Sequence, residues 1–168
     1  DYLIKISRAG LDKNNSKKLS RGLDTIKDFE RIGDHLTNII QFFIERYKES
    51  LKLTNNAKHE LTSLYKVLTS MLDDALECFT TGSIEIANRV VKNEDVVDEL
   101  EEVYRYSYME RLKSGQITFS TSGTYVDILS NLERIGDHLM NIASAVIEPL
   151  YVPQSIIVPK PHELDKDL

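Results

Sequence analysis

Cysteine is nearly missing. Cys78 is the only one in 168 residues, so no internal disulfide framework exists and a reducing compartment fits best. Tryptophan is absent, and the four prolines (Pro149, Pro153, Pro159 and Pro161) all stand near the C-terminal end, so nothing before Pro149 carries that helix breaker. No apolar run approaches the length of a membrane span, and there is no signal-peptide pattern. Positive charge is in deficit: the net charge of −6 argues against a nucleic-acid surface and suits cation binding better. There is no phosphate-cradling glycine loop, no Ser/His/Asp set and no Cys-x-x-Cys. What is left is abundant charge, ordinary apolar content, and chain enough for one domain or two small lobes with a real core.

One stretch occurs twice. Glu30-Arg31-Ile32-Gly33-Asp34-His35-Leu36 is repeated letter for letter as Glu133-Arg134-Ile135-Gly136-Asp137-His138-Leu139. The agreement continues through Asn38-Ile39 and Asn141-Ile142, and begins earlier with Asp24 matched by Asp127. Such a match marks an internal duplication. Each copy holds a Glu and an Asp four residues apart, which is about one helical turn, so the two carboxylates share a face.

The rest of the chain reads as helices joined by turns, an all-α up-and-down bundle. Asp1 to Ser7 resembles the last turns of a helix begun upstream, as in a fragment, and residues 8–16 read as a turn. A helix over about 16–50 follows, with Phe29, Ile32, Leu36, Ile39 and Phe43 spaced by three and four. Gly22 and Gly33 each weaken it by roughly 1 kcal/mol relative to Ala, which close approach of a neighbouring helix would justify. Cap-type residues at Thr54-Asn55-Asn56 start a second helix to Thr81, Gly82-Ser83 breaks it, and a third runs over 83–113 with Val96, Leu100, Val103 and Ser107 on its expected inner stripe. The fourth, over 120–147, turns Leu132, Ile135, Leu139, Ile142 and Val146 inward. Residues 149–168 form a Pro-containing tail expected to be extended or disordered.

On the fourth helix the core stripe lies about 180–240° from Glu133 and Asp137 about 40° from it, so the pair is expected on a surface or groove face. The third helix carries a similar pair, Glu94 and Asp98. Folding it back about a turn near Ile117 sets Asp98 opposite residue 136 and Glu101 opposite Glu133. Like charges at one height repel unless a cation sits between them, and carboxylate-only sets suit Mg²⁺, Ca²⁺, Mn²⁺ or iron. A solvated helix face is the plain alternative, weaker for a pair that is duplicated than for one standing alone. Asp28, Asn131 and Glu101 are further candidates, and His35 and His138 stand beside the Asp of each copy for a structural or outer-sphere role. Arg31 and Arg134 are read as neutralising neighbouring carboxylates, and Cys78 as core.

At the doubled segment the chain resembles the PhoU family of bacterial phosphate-uptake regulators. The resemblance implies two tandem three-helix repeats, each with an E(D)xxxD motif, and multinuclear metal clusters on the bundle. The matching positions are Glu30 and Asp34 in the first repeat, and Glu94 and Asp98 with Glu133 and Asp137 in the second. It spans nearly all of Asp1 to Glu148 and divides the chain into residues 1–53, the C-terminal part of a first repeat, residues 54–148, a complete second repeat, and the tail. The first repeat departs from the pattern: it lacks its opening helix and most of its second, so the site at Glu30 and Asp34 is expected to be incomplete. The implied function is non-enzymatic regulation of phosphate transport through protein contacts on the cytoplasmic side. The partner would be the membrane region of a sodium/phosphate cotransporter fused to the domain, or a phosphate ABC transporter and its signalling kinase. The metal would be divalent or trivalent (Fe, Mn, Zn, Ni, Mg or Ca), and homo-oligomer formation is open. A ferritin-like iron oxidase is the reading from another class, but its Glu-x-x-His spacing is missing, since Glu30 is followed three residues on by Gly33. A purely structural bundle would bind no metal.

Overall fold

The computed structural model describes residues 13–48, 53–117 and 122–148, and every regular element among them is α-helical. Four helices run in order: α1 (Lys13–Lys48), α2 (Asn55–Thr81), α3 (Ile84–Lys113) and α4 (Ser122–Ile147). These ends fall within three residues of those expected from the sequence. Asn14 and Asn15, read as part of a turn, lie instead in the first turn of α1. The turn preference of Asn there yields to propagation of a long helix. The expected opening helix and Pro-containing tail fall outside the described residues. No helix among those residues is long and apolar enough to cross a membrane.

The α2–α3 connection is short because both ends are capped. Gly82 takes φ 73°, a left-handed conformation that a side chain disfavours, and its N–H closes α2 on Cys78 O at 2.8 Å. The next residue, Ser83, already caps α3 by accepting from Ile86 N at 3.3 Å. Thr54 caps α2 in the same way through Ala57 N at 3.2 Å. The helices therefore leave Gly82-Ser83 antiparallel and adjacent.

Helix α4 is central: it packs on α1, α2 and α3, whereas α1 packs substantially on α4 alone. Leu64, Met71, Ala75 and Cys78 of α2, Ala87, Val90 and Val97 of α3, and Tyr125, Leu129, Leu139, Ile142 and Ala143 of α4 are all fully buried. Each large side chain among them contributes about 1.5–3 kcal/mol by leaving water. The stripe expected on α4 is buried throughout. That expected on α3 is not, since Val96 and Val103 are exposed. Its true inner seam is Ala87, Val90, Glu94, Val97, Glu101, Tyr104 and Tyr108, spaced alternately by three and four. Two glutamates interrupt that seam, while valines on the outer face imitate it.

A charged clasp closes the end of the bundle. Arg111 of α3 donates from both terminal nitrogens to the two oxygens of Glu60 on α2, each at 2.8 Å, and Tyr125 of α4 donates to Glu60 Oε2 at 2.5 Å. Tyr108 stacks on Tyr125 at 4.4 Å between ring centroids, and the Arg111 guanidinium lies 5.7 Å from the Tyr108 ring. Loss of Glu60 would leave Arg111 buried and uncompensated. Glu60→Ala is accordingly expected to cost about 3–5 kcal/mol in chemical denaturation, and a change below about 1 kcal/mol would remove the clasp from the account.

On α1, Ile32 and Ile39 are buried against α4, as expected, but Leu36 is 48% and Phe43 44% exposed. They belong to a continuous uncovered face with Ile26, Ile40 and Ile44. In α4 the residues matching Ile26, Leu36, Ile40 and Phe43 are Leu129, Leu139, Ala143 and Val146, all buried under the α2–α3 hairpin. The glycines of the doubled segment differ in the same sense. A Cβ on Gly136 would stand 3.2 Å from Val97 Cγ1 and 3.6 Å from Leu68 Cδ2, whereas one on Gly33 would meet nothing within 4 Å. Gly33→Ala should therefore stabilise this chain by about 0.5–1 kcal/mol through helix propensity. Gly136→Ala should be neutral or destabilising, because Val97 has to give way. Equal shifts of the two denaturation midpoints would contradict this difference in packing.

Candidate metal centre

Val97 seated over Gly136 sets the register of α3 against α4, in agreement with a fold-back near Ile117. Glu94 and Glu101 occupy the seam positions on either side of Val97, with Asp98 next to it. Opposite them, Glu133 and Asp137 flank Gly136. Glu94, Glu101, Glu133 and Asp137 are partly buried, and only Asp98 is well exposed. Glu94 thus lies on the α3–α4 seam rather than on a face turned away from the core, because the inner stripe of α3 is rotated about the helix from the one expected. A groove of about 510 Å³ opens here, lined by Asp98, Glu99, Glu101, Glu102, Arg105 and Glu133.

The electrostatics record how poorly this charge is compensated. Burial, then Asp98 and Asp137, push the Glu94 carboxyl up to about 7. The nearby Asp137 carboxyl adds to this rise at short range. Asp98 is raised by desolvation and then by Asp137, and Glu133 by desolvation and then by Asp137, Asp98 and Glu101, with Arg134 opposing. Four carboxyl groups from two helices therefore act on one another. The set is all oxygen, the donor chemistry of a hard cation. Among the described residues, no three His, Cys, Asp or Glu side chains are posed closely enough to hold one ion.

The first copy lies differently. Glu30 and Asp34 are exposed on α1, and no acidic helix faces them among the described residues. Its other candidates meet α4. His35 Nδ1 lies 2.9 Å from Asn131 Oδ1, and His138 Nδ1 lies 2.9 Å from Asp28 Oδ1. Asp28 and Asn131 hold the same place in their copies, as do His35 and His138, so the contacts are reciprocal, in the manner of a two-fold interface. The two imidazoles stack between them, 5.6 Å between centroids and 21° apart in plane. Asn131 Nδ2 donates to Asp127 O at 2.8 Å, which leaves Oδ1 to accept from His35 and, at 3.3 Å, from Asn38. These four residues tie α1 to α4 and do not enter the acidic seam.

Four side chains that matter were not picked out from the sequence. Arg105 donates from Nε to Glu101 Oε1 at 2.9 Å, from Nη2 to the same oxygen, and from Nη2 to Ser130 Oγ on α4 at 2.8 Å. Glu60 pairs with Arg111 at the far end. The three-and-four spacing that runs from Ala87 through Glu94 and Glu101 to Tyr108 was the available signal for the seam. Nothing local marks Ser130.

The PhoU domain family matches residues 61–146. The chain belongs to the PhoU family. The PhoU homolog 1 of Thermotoga maritima, a phosphate-specific transport system accessory protein, is 32% identical over 120 residues, 71% of this chain and 51% of that protein. The PhoU homolog of Clostridium acetobutylicum, named likewise, is 26% identical over 132 residues, 73% of this chain and 54% of that protein. YjbB of Escherichia coli O157:H7, whose name proposes inorganic phosphate export, is 20% identical over 149 residues, 88% of this chain and 27% of that protein. The chain thus spans about half the length of the first two PhoU relatives. No solved structure matches it.

For this PhoU chain the raised Glu94 carboxyl fixes a sign. It holds its proton more firmly when folded, so its contribution is full below about 4.5 and is lost as the pH rises towards about 7. In chelator the melting temperature should fall between pH 5 and pH 8 by about 2–4 °C more than in Glu94→Gln. Parallel profiles for the two proteins would show that Glu94 is not held in this way.

Proposed function

We propose that this chain is a cation-binding regulatory unit that controls phosphate transport through protein contacts, without catalysis of its own. The carrying observation is the convergence of Glu94, Asp98, Glu133 and Asp137 on one seam with their repulsion left uncompensated. A divalent or trivalent ion bound there would relieve that repulsion and hold α3 to α4. Carboxylate ligands would supply oxygen donors, and the ion would stiffen the surface that a partner reads. Membership of the PhoU family and the names of its relatives support phosphate transport as the process. The partner on this reading is a phosphate transporter or its associated signalling protein on the cytoplasmic side. The likeness to YjbB supports attachment to a phosphate-transporting membrane protein as one arrangement. The exposed apolar face of α1 and the open surroundings of Gly33 among the described residues support a tandem-repeat plan in which Glu30 and Asp34 belong to a second site.

Thermal melts with chelator and with Mn²⁺, Fe²⁺, Zn²⁺ or Mg²⁺ test the reading. An ion at about a hundred times its Kd should raise the melting temperature of the wild type by about 5–10 °C. The double variant Glu133→Gln/Asp137→Asn should lose that shift and be no less stable in chelator, because like-charge repulsion is removed. A wild type indifferent to every ion, or a double variant that keeps the shift, would reduce the seam to a solvated acidic face.

A further inference from the structure

The acidic seam carries its own cation. Of the six residues lining the groove, five are carboxylates and the sixth is Arg105. Its guanidinium feels Glu101 first, through a hydrogen bond and charge, and then Glu133 and Asp127 on α4. By way of Ser130 it also bridges the two helices that the carboxylates push apart.

The two arginine–glutamate pairs of this bundle are built differently. Arg111 grips both oxygens of Glu60, and the two side chains are only 13% and 11% exposed. Arg105 places both its bonds on one oxygen of Glu101, and its side chain is 38% exposed while Glu101 is 13% exposed. A two-oxygen fork out of water is hard to undo, whereas a one-oxygen contact at the wall of an open groove lets the guanidinium return to solvent at little cost. The matching position in the first copy also has a cation: Ser130 corresponds to Lys27, which bonds Asp24 at 3.2 Å, and Asp24 corresponds to Asp127. Each copy thus has one positive charge three residues before its motif glutamate, supplied by α1 itself in the first and brought from α3 in the second.

We propose that Arg105 is a built-in competitor for the seam: it holds Glu101 while no ion is bound, and an incoming divalent cation takes Glu101 from it. This rests on the cation-binding reading above. Arg105 then sets the ion concentration at which the seam fills, and its release on binding couples occupancy to the outer surface of α3. It is a positioning residue acting through Glu101, not a ligand.

Calorimetric titration of the whole chain with Mn²⁺ tests this on the wild type, Arg105→Gln, Arg105→Lys and Glu101→Gln, and on Arg105→Gln combined with Glu101→Gln. Arg105→Gln should bind Mn²⁺ about three- to ten-fold more tightly than wild type, since a positive charge beside the site is gone and Glu101 is free. Arg105→Lys keeps the charge without the paired bonds to Glu101 and should fall between them, and it serves in place of the Gln variant if that one fails to fold. In the Glu101→Gln background most of the gain should vanish. Unchanged or weaker binding by Arg105→Gln would overturn the proposal, as would an equal gain in both backgrounds. A wild type that takes up no Mn²⁺ would overturn the cation-binding reading itself, and this one with it.

Discussion

Two glutamates stand where a helical bundle ordinarily places apolar side chains. Glu94 and Glu101 occupy seam positions of α3, and Val97 between them is pressed onto Gly136 of α4. The close approach of the backbones at that point holds the acidic side chains together, because each helix delivers its carboxylates within one turn of the contact. The close packing at Gly136 and the crowding of the carboxyl groups are therefore the same feature seen at two distances. Neither can be relaxed alone: parting the helices to separate the charges would open a void beside Val97 and Leu68.

The remainder of the bundle is arranged so that this conflict is tolerated. At one end, Glu60, Arg111 and Tyr125 join α2, α3 and α4 through strong bonds that use both carboxylate oxygens. Burial and the bond to Glu60 raise the Tyr125 phenol well above its ordinary value, so it remains a donor at any physiological pH. At the other end, the two-residue link at Gly82-Ser83 ties α2 to α3. Between these fixed ends, α3 and α4 cannot separate far, and burial followed by mutual repulsion raises the carboxyl pKa values of the seam. A group strained in this way responds to anything that brings positive charge, whether a proton, Arg105 or an ion.

Much of this was legible in the sequence, for reasons that differ from element to element. Helix ends were legible because Thr54, Gly82 and Ser83 are local signals that act where they stand. The α4 stripe was legible because α4 is covered on several sides, so its apolar periodicity and its burial coincide. On α3 the same reasoning failed: Val96 and Val103 keep helical spacing on the outer face, while the inner seam spends two of its positions on glutamate. Periodicity identifies a stripe, and cannot identify a seam that is partly acidic by design. The pairing of Glu94 and Asp98 with Glu133 and Asp137 survived that error, because it depended on chain reflection near Ile117 and not on the stripe. Ser130 with Arg105, and Glu60 with Arg111, were beyond reach. Their partners lie 25 and 51 residues away, and nothing in either neighbourhood names the other.

The doubled segment shows how far identical letters can part in chemistry. Glu30 and Asp34 have the same neighbours in sequence as Glu133 and Asp137, and the two histidines that follow make reciprocal contacts across one interface. Along that interface the copies are equivalent. On their other faces they are not: α4 is overlaid by α2 and α3, whereas the corresponding face of α1 is uncovered among the described residues. Glu133 is desolvated and pressed by Asp137, Asp98 and Glu101, and its carboxyl is raised. Glu30 and Asp34 are exposed, and among the described residues no acidic helix opposes them. The motif by itself therefore specifies one wall of an acidic seam. The other wall comes from a second helix that brings its own carboxylates to the seam, with a β-branched residue, Val97, seated on the motif glycine.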